Sequence, residues 1–131
     1  KKIIFTNGCF DILHTGHVKY LEETKSFGDI LILGLNSDNS VRKLKGEKRP
    51  INSQVDRAYI LASLEVIDYV VIFDDDTPYD LINLIQPDVL VKGGDYEGKE
   101  VVGQDIAKEL KLVKFIDNKS TTKIIERIQK S

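Results

Sequence analysis

His14 and His17 are the only histidines in the chain. They lie three residues apart in the stretch Thr6-Asn7-Gly8-Cys9-Phe10-Asp11-Ile12-Leu13-His14-Thr15-Gly16-His17. Two imidazoles at this spacing suit a metal pair, a helix cap, a surface pair or an anion site. Zinc needs about four ligands; there is one cysteine and no third histidine, so Asp11 is the only further candidate nearby. The context favours phosphate. Gly16 allows close backbone approach, and His17 falls in the first turn of a predicted helix, where an imidazole N–H can donate to a phosphate oxygen. A helix start also carries backbone N–H groups with no intrahelical partner, which favour an anion.

Other side chains offer chemistry less directly. Lys43, Lys45, Lys48 and Arg49 form a basic run that reads either as a solvated loop or as a set of cations closing on a phosphate. Arg57 reads either as an ion-pair partner of Asp56 or Glu65 or as a phosphate ligand. Cys9 has no neighbouring base to make a thiolate, so it is expected to pack. Asp74-Asp75-Asp76 is expected to be a solvated turn rather than a cation site. There is no GxxxxGK[ST] stretch and no GxGxxG after the first strand, so neither a P-loop hydrolase nor the usual dinucleotide fold is supported.

The elements that must position these residues alternate. Residues 3–5 read as a buried strand and residues 16–27 as a helix closed by Gly28. Residues 29–35 form a nearly continuous apolar strand of the kind covered on both faces. Residues 41–50 are expected to be a basic loop. Ser53 caps the next helix, with Asp56 three residues on. Residues 66–73 give a third strand. Thr77-Pro78-Tyr79-Asp80 starts a helix with a cap, a proline at the first position and an acid at the third. Residues 88–92 give a fourth strand, 104–110 a short helix and 112–116 a fifth strand. Ser120 or Thr121 caps a last helix carrying Ile124, Ile125 and Ile128. Strand–helix alternation implies an α/β fold, a Rossmann-like parallel five-stranded sheet with helices on both faces, in one domain over residues 1–131. In such sheets ligands bind beyond the C-terminal strand ends, where strand order reverses.

Composition narrows the partners. Lys and Arg number 19 and Asp and Glu 21, for a net charge of −2. No global field for a nucleic acid results, while a small anion held by local cations stays open. A single cysteine fits a reducing compartment, so a cytoplasmic location is expected. No signal peptide is recognisable, and no apolar run approaches the ~20 residues that span a bilayer, so no membrane partner is expected. The sequence opens on Lys1-Lys2 rather than Met, as a trimmed chain or a piece of a longer protein would.

The stretch Gly8-Cys9-Phe10-Asp11-Ile12-Leu13-His14-Thr15-Gly16-His17 resembles the first signature of the cytidylyltransferase-like (HxGH) nucleotidyltransferases. Ser120-Thr121-Thr122-Lys123-Ile124-Ile125 resembles their second signature, and the match covers the whole chain. Asn36-Ser37-Asp38, residues 44–52, Asp75-Asp76-Thr77-Pro78 and residues 90–96 are most similar to the heptose 1-phosphate adenylyltransferase branch. The glycerol-3-phosphate cytidylyltransferase branch resembles the chain over residues 95–99. It carries an arginine and a glycine where this chain has Asp117, Asn118 and Lys119.

The resemblance implies transfer of AMP from ATP to D-glycero-β-D-manno-heptose 1-phosphate; a CTP-dependent cytidylyltransferase acting on glycerol 3-phosphate or another small phosphorylated alcohol is the alternative. From a different class, a nucleotide-binding module without turnover would also carry these signatures. The resemblance further implies roles. His14 and His17 would hold the nucleotide phosphates, and Lys43 or Lys45 would close on them. Gly8, Phe10, Asp11 and Gly16 would line the nucleotide site, Asp11 helping to organise the metal–phosphate region. Arg57 would stand near the triphosphate, and Gly93 and Asp95 against the base. Ser120, Thr121 and Thr122 would meet the phosphates at the last helix. Magnesium would arrive with ATP, with no metal site of the protein's own. A homodimer is expected, as is fusion to, or cooperation with, a heptose kinase.

Overall fold

The computed structural model describes residues 1–94 and 99–114. In chain order these form β1 (Ile3–Gly8), α1 (Thr15–Lys25), β2 (Ile30–Asn36), α2 (Asp38–Lys45), α3 (Gln54–Ala62), β3 (Tyr69–Phe73), α4 (Tyr79–Ile85), β4 (Val89–Gly93) and β5 (Glu109–Val113). The strands form one parallel sheet in the order β3-β2-β1-β4-β5. The chain winds outward from β1 through β2 to β3, then crosses back to place β4 on the other side of β1. The reversal between β1 and β4 is where such a sheet offers a ligand crevice.

Alternation along the interior strands explains the two layers. Ile4, Leu31, Leu33 and Val91 point to one face and pack with Tyr20 and Leu21 of α1 and Leu61 of α3. Phe5 and Leu90 point to the other, where Ile82 of α4 and Val101 cover them. Helices therefore lie on both faces, as the alternation predicts. Each fully buried large apolar side chain contributes roughly 1.5–3 kcal/mol. Carboxylates fasten the strand starts. Asp88 accepts the Ile3 backbone N–H at 2.8 Å, and Asp68 accepts that of Leu31 at 2.8 Å.

Several boundaries differ from expectation. The basic stretch expected as a loop over residues 41–50 is helical in its first half, because Ser37 caps α2 by accepting from Ser40 N and Asp38 stands in the first turn. Cap and acid both suit the positive end of a helix, and Arg42, Lys43 and Lys45 suit its negative end. Ser53 caps α3 as predicted, accepting from Asp56 N at 3.3 Å. Pro78 is the cap residue of α4 rather than its first helical residue. Helix α1 ends at Lys25 with Ser26 as its C-cap, and Gly28 answers instead a close approach: a Cβ there would stand 2.8 Å from Ile4. The helix expected over 104–110 is a series of turns, and β5 starts at Glu109 because it pairs with Val89 of β4. The last helix and its predicted cap lie outside the described residues.

Candidate active site

The histidines sit where β1 gives way to α1. His14 is the N-cap of α1: its Nδ1 accepts from Gly16 N at 3.1 Å, while the Nδ1 of His17 accepts from His14 N at 3.3 Å. Each side chain thus satisfies a backbone donor of the helix start, a capping box built from two imidazoles. An Nδ1 that accepts cannot carry the proton, so both neutral rings are the tautomer with the proton on Nε2. The rings stack with centroids 3.9 Å apart, and Phe10 meets His17 edge-on at 5.2 Å. Burial, and then the neighbouring His14, lower the pKa of His17 from 6.5 to about 4. At neutral pH His17 is therefore an uncharged donor.

Phe10 holds this geometry at some cost. Its φ of +46° lies in the left-handed region that side chains avoid, a strain of roughly 1–2 kcal/mol. Gly8 is required beside it, since a Cβ there would come within 2.7 Å of the Phe10 ring. Strain of this kind at a strand end is characteristic of sites that fix a side chain's direction. Gly16 is buried in the first turn of α1.

Asp11 and Arg57 have protein partners. Asp11 is 1% exposed, and its carboxylate accepts from Arg49 Nε at 3.0 Å, from Ile51 N at 2.8 Å and from Asn52 N at 2.9 Å. Asp11 thus anchors the loop joining α2 to α3. Arg57, also 1% exposed, donates through Nη1 to Cys9 O and Asn36 O, through Nε to Asn52 O and through Nη2 to Asp38. Arg57 thus ties the ends of β1 and β2 to the start of α2. A guanidinium offers five donors in a fixed fork, which suits it to collect carbonyls from separate segments.

The two lysines singled out in sequence separate in space. Lys43 reaches Asp76, beyond the end of β3, at 3.8 Å. Lys45 instead exerts its charge on the Cys9 thiol of the first turn. Burial raises the pKa of that thiol, and Lys45 heads the charges that oppose the rise. The net shift is upward, so Cys9 stays a protonated thiol at neutral pH, in keeping with a packing role. Gly93 ends β4, and Gly94 follows with φ +107°. Asp95, Ser120, Thr121 and Thr122 lie outside the described residues. Among the described residues no three His, Cys, Asp or Glu side chains group as a metal site. No described helix is long and apolar enough to cross a membrane.

Sequence reasoning missed Lys92 as a site residue. It is 8% exposed on β4, and its Nζ donates to Asn7 Oδ1 on β1. The signal was legible: a lysine ending the apolar run Val89-Leu90-Val91 belongs to a buried strand, where an ammonium has no ordinary place.

The model of the cytidylyltransferase-like family matches residues 5–129. The bifunctional protein HldE of Aliarcobacter butzleri (strain RM4018) is 77% identical over all 131 residues. HldE of a Nitratiruptor species is 67% identical over 129 residues, 98% of the chain. The chain spans 28% of the length of each of these relatives. Among solved structures it is similar to a lipopolysaccharide core biosynthesis protein from Thermoplasma volcanium GSS1. The TM-score is 0.70 at 27% identity, over 90% of this chain and 98% of that one.

Proposed function

The chain belongs to the cytidylyltransferase-like family, and from that premise we propose that it transfers AMP from ATP to D-glycero-β-D-manno-heptose 1-phosphate, giving ADP-heptose and pyrophosphate. The observation that carries the transfer chemistry is the imidazole pair at the start of α1, with both Nδ1 atoms held by backbone donors and both protons on Nε2. The heptose branch rests on the stretches that resemble it and on the high identity to HldE proteins. The likeness to a lipopolysaccharide core biosynthesis protein is in keeping with it.

The attacking group in this reaction is a phosphate oxygen, already ionised at neutral pH, so no general base is required. No side-chain nucleophile is needed either, and the protonated Cys9 supplies none. What remains for the protein is alignment and neutralisation of the charge that grows on the α-phosphate and the departing pyrophosphate. Neutral N–H donors at a helix N-terminus suit the first task, and the lysines of α2 suit the second. Magnesium enters with the triphosphate as part of the substrate. We further propose a homodimer in the cytoplasm, within or beside a protein carrying a heptose kinase.

One matrix of rates tests the function: ATP, CTP and GTP against heptose 1-phosphate and glycerol 3-phosphate, followed by pyrophosphate release. The expected result is highest specificity for ATP with heptose 1-phosphate. Preference for CTP with glycerol 3-phosphate would move the chain to the other branch. Nucleotide binding without turnover on either acceptor would make it a binding module.

A further inference from the structure

The β1–β4 junction opens toward its C-terminal end. Backbone pairing of β1 with β2 continues to Gly8 and Leu35, and that of β4 with β5 to Gly93 and Val113. Pairing of β1 with β4 stops at Phe5 and Leu90. Beyond that point side chains bridge the two strands. Thr6 Oγ1 donates to Val91 O at 2.9 Å, and Lys92 Nζ donates to Asn7 Oδ1. The strands that part are the two flanking the reversal of strand order.

Lys92 stands at that parting with its side chain nine-tenths buried, and no ion pair to it occurs among the described residues. Its partner on Asn7 is a neutral amide oxygen, which orients the group without compensating its charge. A lysine kept for structure alone would run its stem along apolar surface to water or meet a carboxylate. Burial lowers its pKa from 10.5 to about 8, with no charged partner among the described residues opposing the shift. The ammonium is thus still largely protonated at neutral pH, and an arriving anion would supply a counter-charge that no described residue gives it.

We propose that Lys92, oriented by Asn7 in the β1–β4 crevice, binds the phosphate of the acceptor and so determines specificity for a phosphorylated acceptor. The inference rests on the nucleotidyl-transfer reading above. An in-line displacement puts the attacking and leaving oxygens on opposite sides of the α-phosphorus. The imidazoles follow β1, and the lysines of α2 stand on its β2 side; Lys92 stands on its β4 side. If the α2 lysines take the pyrophosphate, the acceptor enters where Lys92 is. The nucleotide triphosphate is the other source of phosphate, and the test separates the two.

The experiment measures KM for the sugar 1-phosphate and for ATP, kcat, and the thermal midpoint, in the purified wild type, Lys92→Met and Lys92→Arg. Loss of a charged hydrogen bond commonly weakens binding roughly tenfold to a hundredfold. Lys92→Met is expected to raise the acceptor KM by that factor, to move the ATP KM by no more than about twofold, and to leave the thermal midpoint no lower. Lys92→Arg should keep most of the acceptor affinity. An unchanged acceptor KM, equal rises in both KM values or a rise for ATP alone would each overturn the assignment. Lys92→Gln, which keeps a donor for Asn7, is read the same way should the Met variant not fold.

If the wild type releases no pyrophosphate with any nucleotide and sugar 1-phosphate, the parent reading fails on its own account. Calorimetry with inorganic phosphate then decides about Lys92: binding lost in Lys92→Met supports the anion site, and equal or absent binding in both proteins rejects it.

Discussion

The two histidines carry a local job, and the proposed reaction gives them a chemical one. Their Nδ1 atoms satisfy backbone donors of α1, and their Nε2 protons are what a phosphate would meet. Replacing either by Ala is expected to lower kcat about a hundredfold, the ~3 kcal/mol of a lost transition-state donor. The lost cap should cost only about 1 kcal/mol of stability. Near-normal turnover with a large fall in thermal midpoint would reject the chemical job. His17 also sets an acid limit on the fold. Its folded pKa, about 4, lies below the unfolded 6.5, so between these values the unfolded chain binds more protons. The stability His17 contributes is present above pH 6.5 and is lost as pH falls toward 4. Thermal midpoints over that window should fall less steeply in His17→Ala than in the wild type. Lys92 acts in the opposite pH range. Its folded pKa, about 8, lies below the unfolded 10.5, so stability should rise as pH goes from about 8 to 10.5, a rise that Lys92→Met removes.

At the scale of elements, the proposed reaction makes α2 the source of the cation that meets the phosphates. Lys43 and Asp76 form an exposed pair at 3.8 Å, of a kind worth at most about 1 kcal/mol. Lys45, one helix position beyond Leu44, acts on the first turn instead. Lys45→Ala is therefore expected to reduce turnover by a larger factor than Lys43→Ala, with thermal midpoints close to wild type for both. Equal effects, or the reverse order, in parallel rate measurements would overturn that ranking. Helix α3 contributes rigidity through Arg57. Asp38, the ion-pair partner of Arg57, is partly exposed, and leaving a buried acceptor without its donor commonly costs ~1–3 kcal/mol. Arg57→Ala should show a loss of that order by urea unfolding, because carbonyls of Cys9, Asn36 and Asn52 lose their donor together. A small stability loss with a large rise in ATP KM would return Arg57 to a ligand-binding role.

The whole molecule brings these elements to one rim of the sheet. The first turn, the start of α2, the end of β4 and the loop after β3 all follow strand ends at the C-terminal edge. On the outside of α3, Val55 and Tyr59 lie one helical turn apart, Tyr59 79% exposed. Apolar side chains so placed fit the proposed homodimer, for which light scattering at working concentration should give twice the chain mass. A monomer mass would contradict it, and Tyr59→Asp would then leave the mass unchanged.

The strand, polar turn and helix around His14 and His17 were legible in sequence, because caps, apolar alternation and turn residues act over two to four positions. The same local rules predicted the Ser53 cap and the parallel sheet. The Ser37 cap is equally local, but the basic run that follows it reads as a loop when its charges are weighed ahead of the cap. The partners of Asp11, Arg57 and Lys92 were not legible. Asp11 meets residues 38 to 41 positions away, and Lys92 meets Asn7 at a separation of 85. A charged side chain's role depends on what the fold buries beside it, and no pattern along the chain records that. Strand order and the early end of the β1–β4 ladder are likewise set by how the layers pack. They turn a lysine at the end of an apolar run into a buried cation at the mouth of the crevice.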